Sequence, residues 1–192
     1  MSILSKIPKS ITFLLGMTIL TGVLYPAAMT LFAQAAFPGK ANGSLLVIKG
    51  AVRGSTLLAQ KFQSPRFFQA RPSASDYAYV GAGASNLGPV SSDLAQAMAD
   101  RQTAWQENFG AEPPKDMLYA SASGLDPDIG LDSALAQVDL VSQARGLSPD
   151  AKSALVAAIR RRADAATTLV GPARVNVVSL NALLESDPAY SR

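Results

Sequence analysis

The sequence predicts a mixed fold, α/β or α+β, in which one N-terminal transmembrane helix precedes a single extracytoplasmic domain. Three observations carry this. Residues 10–39 contain no charged side chain. Apolar runs of strand length stand near both ends of the remainder, bounded by Gly and Pro. Between them lie three segments with helical apolar spacing and recognisable caps. The predicted organisation is a cytoplasmic N-terminus at 1–10, a transmembrane helix at 11–37, a hinge at 38–44 and the domain at 45–192.

The charge-free stretch opens as ITFLLGMTIL. As a helix its thirty residues would extend about 45 Å, beyond the ~30 Å hydrocarbon core of a bilayer. Ten residues between Ile11 and Phe32 are Leu, Ile, Phe or Val, which favours insertion against the cost of Thr18, Thr21, Gly22, Pro26 and Thr30. Pro26 removes one backbone hydrogen bond and predicts a kink. Gly22 permits close approach of another helix, so Gly22, Tyr25 and Pro26 are candidate contacts for an intramembrane partner. Lys6 and Lys9 precede the segment with no acid beside them, which holds the N-terminus in the cytoplasm and leaves the domain outside. The alternative is an exported binding module whose signal is cleaved near Ala33-Gln34-Ala35. The apolar stretch is longer than signals usually carry, which favours a retained anchor.

Composition narrows the chemistry. Of seventeen basic residues, Lys6 and Lys9 lie before the membrane segment, leaving fifteen against fourteen acids in the domain. That balance gives no electrostatic reason to expect nucleic acid. The chain has neither Cys nor His. Disulfides, thiolate nucleophiles and every arrangement using a histidine base are excluded, which argues against a self-sufficient enzyme.

Within the domain, Leu45 to Ile48 reads as the first strand, between Gly43 and Gly50. Residues 54–88 mix short apolar runs with Gly, Ser and Pro and read as strand and loop. Ser91 or Ser92 caps a helix with Leu94, Met98 and Trp105 on one side, ending near Gly110. A second helix follows Pro127, with Leu131, Leu135, Val138 and Val141 on one face and Gly146 past its end. A third starts at Ser148-Pro149 and shows Leu155, Ile159 and Ala163. Val175 to Val178, β-branched and preceded by Gly171-Pro172, reads as a closing strand before a short helical turn at Ala182 to Glu185. Strands at both ends suggest one mixed sheet.

Four features carry possible chemistry. Asp126, Asp128 and Asp132 cluster as oxygen donors for a cation or as an acidic surface that raises local cation concentration, but acids before a helix also serve its dipole and lack the spacing of a calcium loop. The glycine-rich segment at 81–89 can form an anion-binding nest or a plain turn, and it is no Walker loop because no Lys follows the glycines. Arg160, Arg161 and Arg162 point about 100° apart and cannot form one phosphate-gripping fork. Phe67, Phe68, Tyr77 and Tyr79 flank Arg71 as either a contact surface or core.

Taken in order, several motifs resemble the C subunit (KdpC family) of the Kdp-type potassium-transporting ATPase. They are Thr21-Gly22-x-x-Tyr25-Pro26; Ala41 to Ser44; Gly54-Ser55 with Leu57-Leu58-Ala59-Gln60-x-Phe62; Phe68-x-x-Arg71 to Ala74; Ser85 to Pro89; Ser121-x-Ser123 to Pro127; and Arg174 to Val177 with Leu180-Asn181. The chain departs from the family pattern at Asp128, where His is usual, at Val90 to Ser92 and at Ala59. The resemblance implies an accessory, non-catalytic subunit of a high-affinity potassium uptake complex in the bacterial inner membrane. Its implied partners are a channel-like subunit, a P-type ATPase subunit and the lipid bilayer, with potassium as the transported ion. It implies no firmly bound cofactor. It also implies a possible ATP contact at Gln60, Ser85, Asn86, Leu87 and Gly88 that raises the nucleotide affinity of the catalytic subunit. Asp126 and Asp128 are the residues expected to attract cations where potassium enters.

Overall fold

A computed structural model describes residues 6–166 and 171–190, with the side chains of 164–166 excepted. The chain forms two compact units, Met1–Leu45 and Leu46–Arg192.

The first unit is a helix running Ile7–Ala36, long and apolar enough to cross a membrane. It consists of α1 (Ile7–Ile19), a π turn (Leu20–Leu24) and α2 (Tyr25–Ala36), none with a buried residue. The widened turn is the local answer to Pro26. A proline ring collides with the carbonyl one α-turn back, and the chain opens by one residue so that Tyr25 N–H donates to Leu20. The irregularity expected at Pro26 therefore lies just before it. Thr12 and Thr21 turn their hydroxyls back to the carbonyls of Pro8 (2.9 Å) and Met17 (2.7 Å), so these two donors are satisfied within the helix. One further helical turn, α3 (Pro38–Ala41), follows. Asn42 closes it by pairing its amide with that of Gln34 and donating to the Pro38 carbonyl at 2.8 Å.

The second unit begins with a hairpin of β1 (Leu45–Ile48) and β2 (Ala51–Ser55). Lys49 and Gly50 form its two-residue turn, both at positive φ (51° and 78°), the type I′ geometry that matches strand twist. The remaining elements are α4 (Ser92–Phe109), α5 (Lys115–Leu118), β3 (Asp128–Gly130), α6 (Leu131–Ala136), α7 (Val138–Arg145), α8 (Pro149–Ala166), β4 (Arg174–Asn176) and α9 (Val177–Ser186).

Three expectations need correction. There is no single mixed sheet among the described residues: β1 pairs with β2, and β3 pairs antiparallel with β4, Ile129 opposite Val175. The closing strand stops at Asn176. The side chain of Asn176 accepts the Ser179 N–H at 2.9 Å and caps α9, so Val177 and Val178 are helical despite their β preference. The helix expected after Pro127 is two helices. It breaks at Gln137, whose fully buried amide turns inward to the backbone of Gln69.

Helix limits follow their caps. Ser91 receives Leu94 N–H, and Gly110 and Gly146 take left-handed conformations that end α4 and α7. Phe68, Ile129, Leu155, Ile159, Val175, Val177, Leu180 and Leu184 form the fully buried centre. The irregular chain from 56 to 91 is held by backbone bonds, Ala59 to Leu125 and Ser121 to Pro72, both 2.9 Å. Arg145, buried at the end of α7, donates to the carbonyls of Arg66 (2.6 Å), Leu184 (2.9 Å) and Tyr190 (3.0 Å) and pairs with Glu185. Its guanidinium also lies 5.0 Å from the Phe67 ring centre.

Candidate functional site

Gln60 leaves the hairpin's base and lies in a cavity of about 380 Å³ between β1, β2 and α9. Lys49, Arg53, Phe62, Phe67 and Glu185 share its walls. Gly54 makes this placement possible. Its φ is +150°, and a methyl group there would stand 1.9 Å from the Gln60 side-chain nitrogen. That nitrogen donates to the Arg53 carbonyl at 2.8 Å, which directs the amide along the strand.

Ser85, Asn86, Leu87 and Gly88 lie on an exposed loop, with Asn86 at φ 54°, and none lines the cavity around Gln60. The loop is seated from below by Gly124, itself at φ +72°. A side chain at Gly124 would meet Ser75 Oγ at 2.6 Å and the Gly83 carbonyl oxygen at 2.9 Å. Phe62 belongs to the same motif as Gln60, whereas Lys49 and Arg53 were not singled out in the sequence. The signal that reaches them is the hairpin turn at Lys49-Gly50, which folds β2 back beside β1.

The two candidate aspartates serve the chain itself. Asp126 pairs with Arg71 at 3.1 Å and lies 3.8 Å from Arg174, while its second oxygen accepts the Asp128 N–H. Asp128 accepts from Asn176 at 2.9 Å, and Asn176 also donates to the Thr56 carbonyl. With two guanidiniums beside it, Asp126 offers little unbalanced charge to a passing cation. The third acid of the cluster, Asp132, lies in the first turn of α6. The start of that helix is held instead by Asp116, which accepts from Gly130 N–H at 2.7 Å and from the Ser133 hydroxyl.

Among the aromatics, Phe68 is fully buried and belongs to the core. Tyr77 is partly buried, packs against the core and donates its hydroxyl to the Arg71 carbonyl at 2.8 Å. Tyr79 is exposed. On the apolar helix, Gly22 lies within the π turn and Tyr25 and Pro26 follow it, all exposed within their own chain. A side chain at Gly22 would meet nothing within 4 Å.

Comparison with known proteins places this geometry. The profile of the family described as "K+-transporting ATPase, c chain" matches residues 7–186, taking in both the apolar helix and the domain. A potassium-transporting ATPase KdpC subunit from Burkholderia orbicola is 43% identical over 179 residues, covering 90% of this chain and 92% of the relative. The corresponding subunit from Cereibacter sphaeroides is 39% identical over 188 residues, covering 95% and 98%. That from Allorhizobium ampelinum is 43% identical over 188 residues, covering 95% and 97%. With the apolar helix and the domain both matched, this chain belongs to the family of K+-transporting ATPase C chains.

Proposed function

We propose that this chain is the accessory, non-catalytic C subunit of a high-affinity, ATP-driven potassium uptake complex in a bacterial inner membrane. Ile7–Ala36 crosses the bilayer with Lys6 and Lys9 on the cytoplasmic side, and the domain stands outside. The subunit stabilises assembly with a channel-like subunit and a P-type ATPase subunit, which carries the catalysis.

The observation that supports this most is the family match across helix and domain together. The helix fits the role physically. It carries a π turn, a proline and an open glycine face, and a simple tether needs none of these. The absence of His and Cys fits a subunit that leaves chemistry to its neighbours. The test is co-purification from detergent extracts together with protease added to intact spheroplasts. Larger transport subunits should accompany the chain, and the domain should be digested. Isolation alone, or a protected domain, discards the reading.

A second reading draws on the cavity at Gln60. Its two cationic side chains, beside two phenylalanines and an amide, suit a nucleotide, as the ATP contact implied by the family resemblance requires, although Glu185 shares the wall. The outside placement of the domain opposes it, since ATP is cytoplasmic. A rise in melting temperature of the full chain at millimolar ATP supports this reading, and an unchanged one removes it.

A further inference from the structure

The β1–β2 hairpin has one covered face and one open face. Strand alternation sends Leu46, Ile48 and Arg53 toward the cavity beside α9. Leu45, Val47 and Val52 therefore share the opposite face, and they are 55%, 58% and 61% exposed. Three aliphatic side chains so exposed on a two-stranded sheet are expensive in water, because such a hairpin has little stability to spare.

The charge next to this hairpin in the chain is positive. Lys40 precedes β1 and Lys49 stands in the hairpin turn; both are exposed and neither forms an ion pair among the described residues, while Arg53 belongs to the cavity side with Glu185. No acidic residue occurs in the chain before Asp76. Position in the chain supplies the third observation. Only residues 37–44 separate Ala36, the last residue of the apolar helix, from Leu45, so the covalent link reaches at most about 30 Å.

We propose that Leu45, Val47 and Val52 rest in the interface of the bilayer that the chain's own helix crosses, with Lys40 and Lys49 contacting anionic phospholipid headgroups. The inference rests on the membrane-subunit reading above. A surface of uniform negative charge with an apolar layer beneath complements both properties of this face at once. The short tether holds the hairpin within range of that surface and raises its effective concentration there. A lipid-seated hairpin would give the domain a second hold on the membrane besides the helix.

This chain has no cysteine of its own, so one introduced thiol, labelled on the isolated chain before the complex is reassembled, takes one label. An environment-sensitive fluorophore is attached to Val47→Cys, Phe32→Cys or Val90→Cys in the full chain, which is then recombined with its co-purifying subunits. The complexes are placed in phosphatidylcholine nanodiscs with or without phosphatidylglycerol, and with spin-labelled lipid as quencher. Phe32 lies in the apolar helix, and Val90 is 100% exposed on a loop. The expected result is quenching at Val47 by a headgroup-level spin label, stronger with phosphatidylglycerol, with K40E/K49E losing most of that lipid dependence. Quenching at Phe32 while Val47 behaves like Val90 overturns this proposal alone. A blue-shifted but unquenched label at Val47 also overturns it, since a protein then covers the face. An unquenched label at Phe32 overturns it together with the membrane reading.

Discussion

Asn181 grips the backbone of Phe68 from both sides: its amide oxygen accepts the Phe68 N–H at 2.8 Å, and its amide nitrogen donates to the Phe68 carbonyl at 2.9 Å. Gln137 does the same to the next residue, Gln69, at 2.7 and 3.1 Å. Two side-chain amides, one on α9 and one at the junction of α6 and α7, thus do for an irregular segment what a neighbouring strand would do. They satisfy buried backbone groups that have no ladder to join.

Replacing Asn181 by Leu, which is near it in volume, leaves the buried Phe68 N–H and carbonyl without side-chain partners. The expected loss is about 3 kcal/mol, from two buried groups at roughly 1–3 kcal/mol each. Urea unfolding of the full chain in detergent, followed by fluorescence of Trp105, the single tryptophan, measures it. A change below ~1 kcal/mol would mean that water reaches the Phe68 backbone.

Gly124→Ala should cost more than Gly146→Ala, although both glycines have positive φ (72° and 64°). At Gly146 an added methyl meets nothing within 4 Å, so only the left-handed penalty of about 1–2 kcal/mol applies. At Gly124 it strikes Ser75 Oγ and the Gly83 backbone. Protease sensitivity within residues 78–90 should rise in Gly124→Ala and stay unchanged in Gly146→Ala.

Burial raises the Tyr77 hydroxyl above its ordinary value near 10, and neighbouring Asp76 adds to the shift while Arg101 opposes it. Between the unfolded and folded values the native state binds the extra proton. The stability so contributed is therefore complete below about pH 10 and is lost as pH climbs through the higher folded value. Ultraviolet titration should show one late phenol that disappears in Tyr77→Phe. Unfolding free energy of that variant should fall less steeply above pH 10 than that of the native chain.

Gly22→Leu adds bulk where the chain itself has nothing within 4 Å, so the isolated subunit should fold and insert as before. Retention of the larger transport subunits during purification should drop several-fold, which a quantitative blot reads. A preserved subunit ratio would place the helix–helix contact on another face.

Much of this architecture is legible in the chain because local chemistry decides it. Ser91, Gly110, Gly146 and the Ser148-Pro149 pair set helix limits through bonds and dihedrals within a few residues, and the structure keeps each limit. Where distant partners decide, local reading fails. Val177 and Val178 prefer strand, yet only Arg174–Asn176 finds a paired segment, and Asn176 starts a helix. Gln137 and Arg145 carry no motif, and Asn181 appears only in the family motif Leu180-Asn181, which says nothing of its partner. The available clue is a polar side chain breaking an apolar face, Gln137 between Leu135 and Val138 and Asn181 between Leu180 and Leu183. The candidate site divides in the same way. Gln60 enters only through the family resemblance, its cavity depends on a hairpin whose second strand is not read from the sequence, and nothing in residues 85–88 tells that they stand apart from it.

The wide turn at Leu20–Leu24 inserts one residue into the ladder of the apolar helix, which advances everything after it by about 100° relative to a straight rod. Positions that simple periodicity would stack in one file are thereby turned to different azimuths in the two halves. A neighbour lying along Ile7–Ile19 cannot follow the same stripe onto Tyr25–Ala36, so the single helix offers two differently aimed contact lines, one on each side of the wide turn.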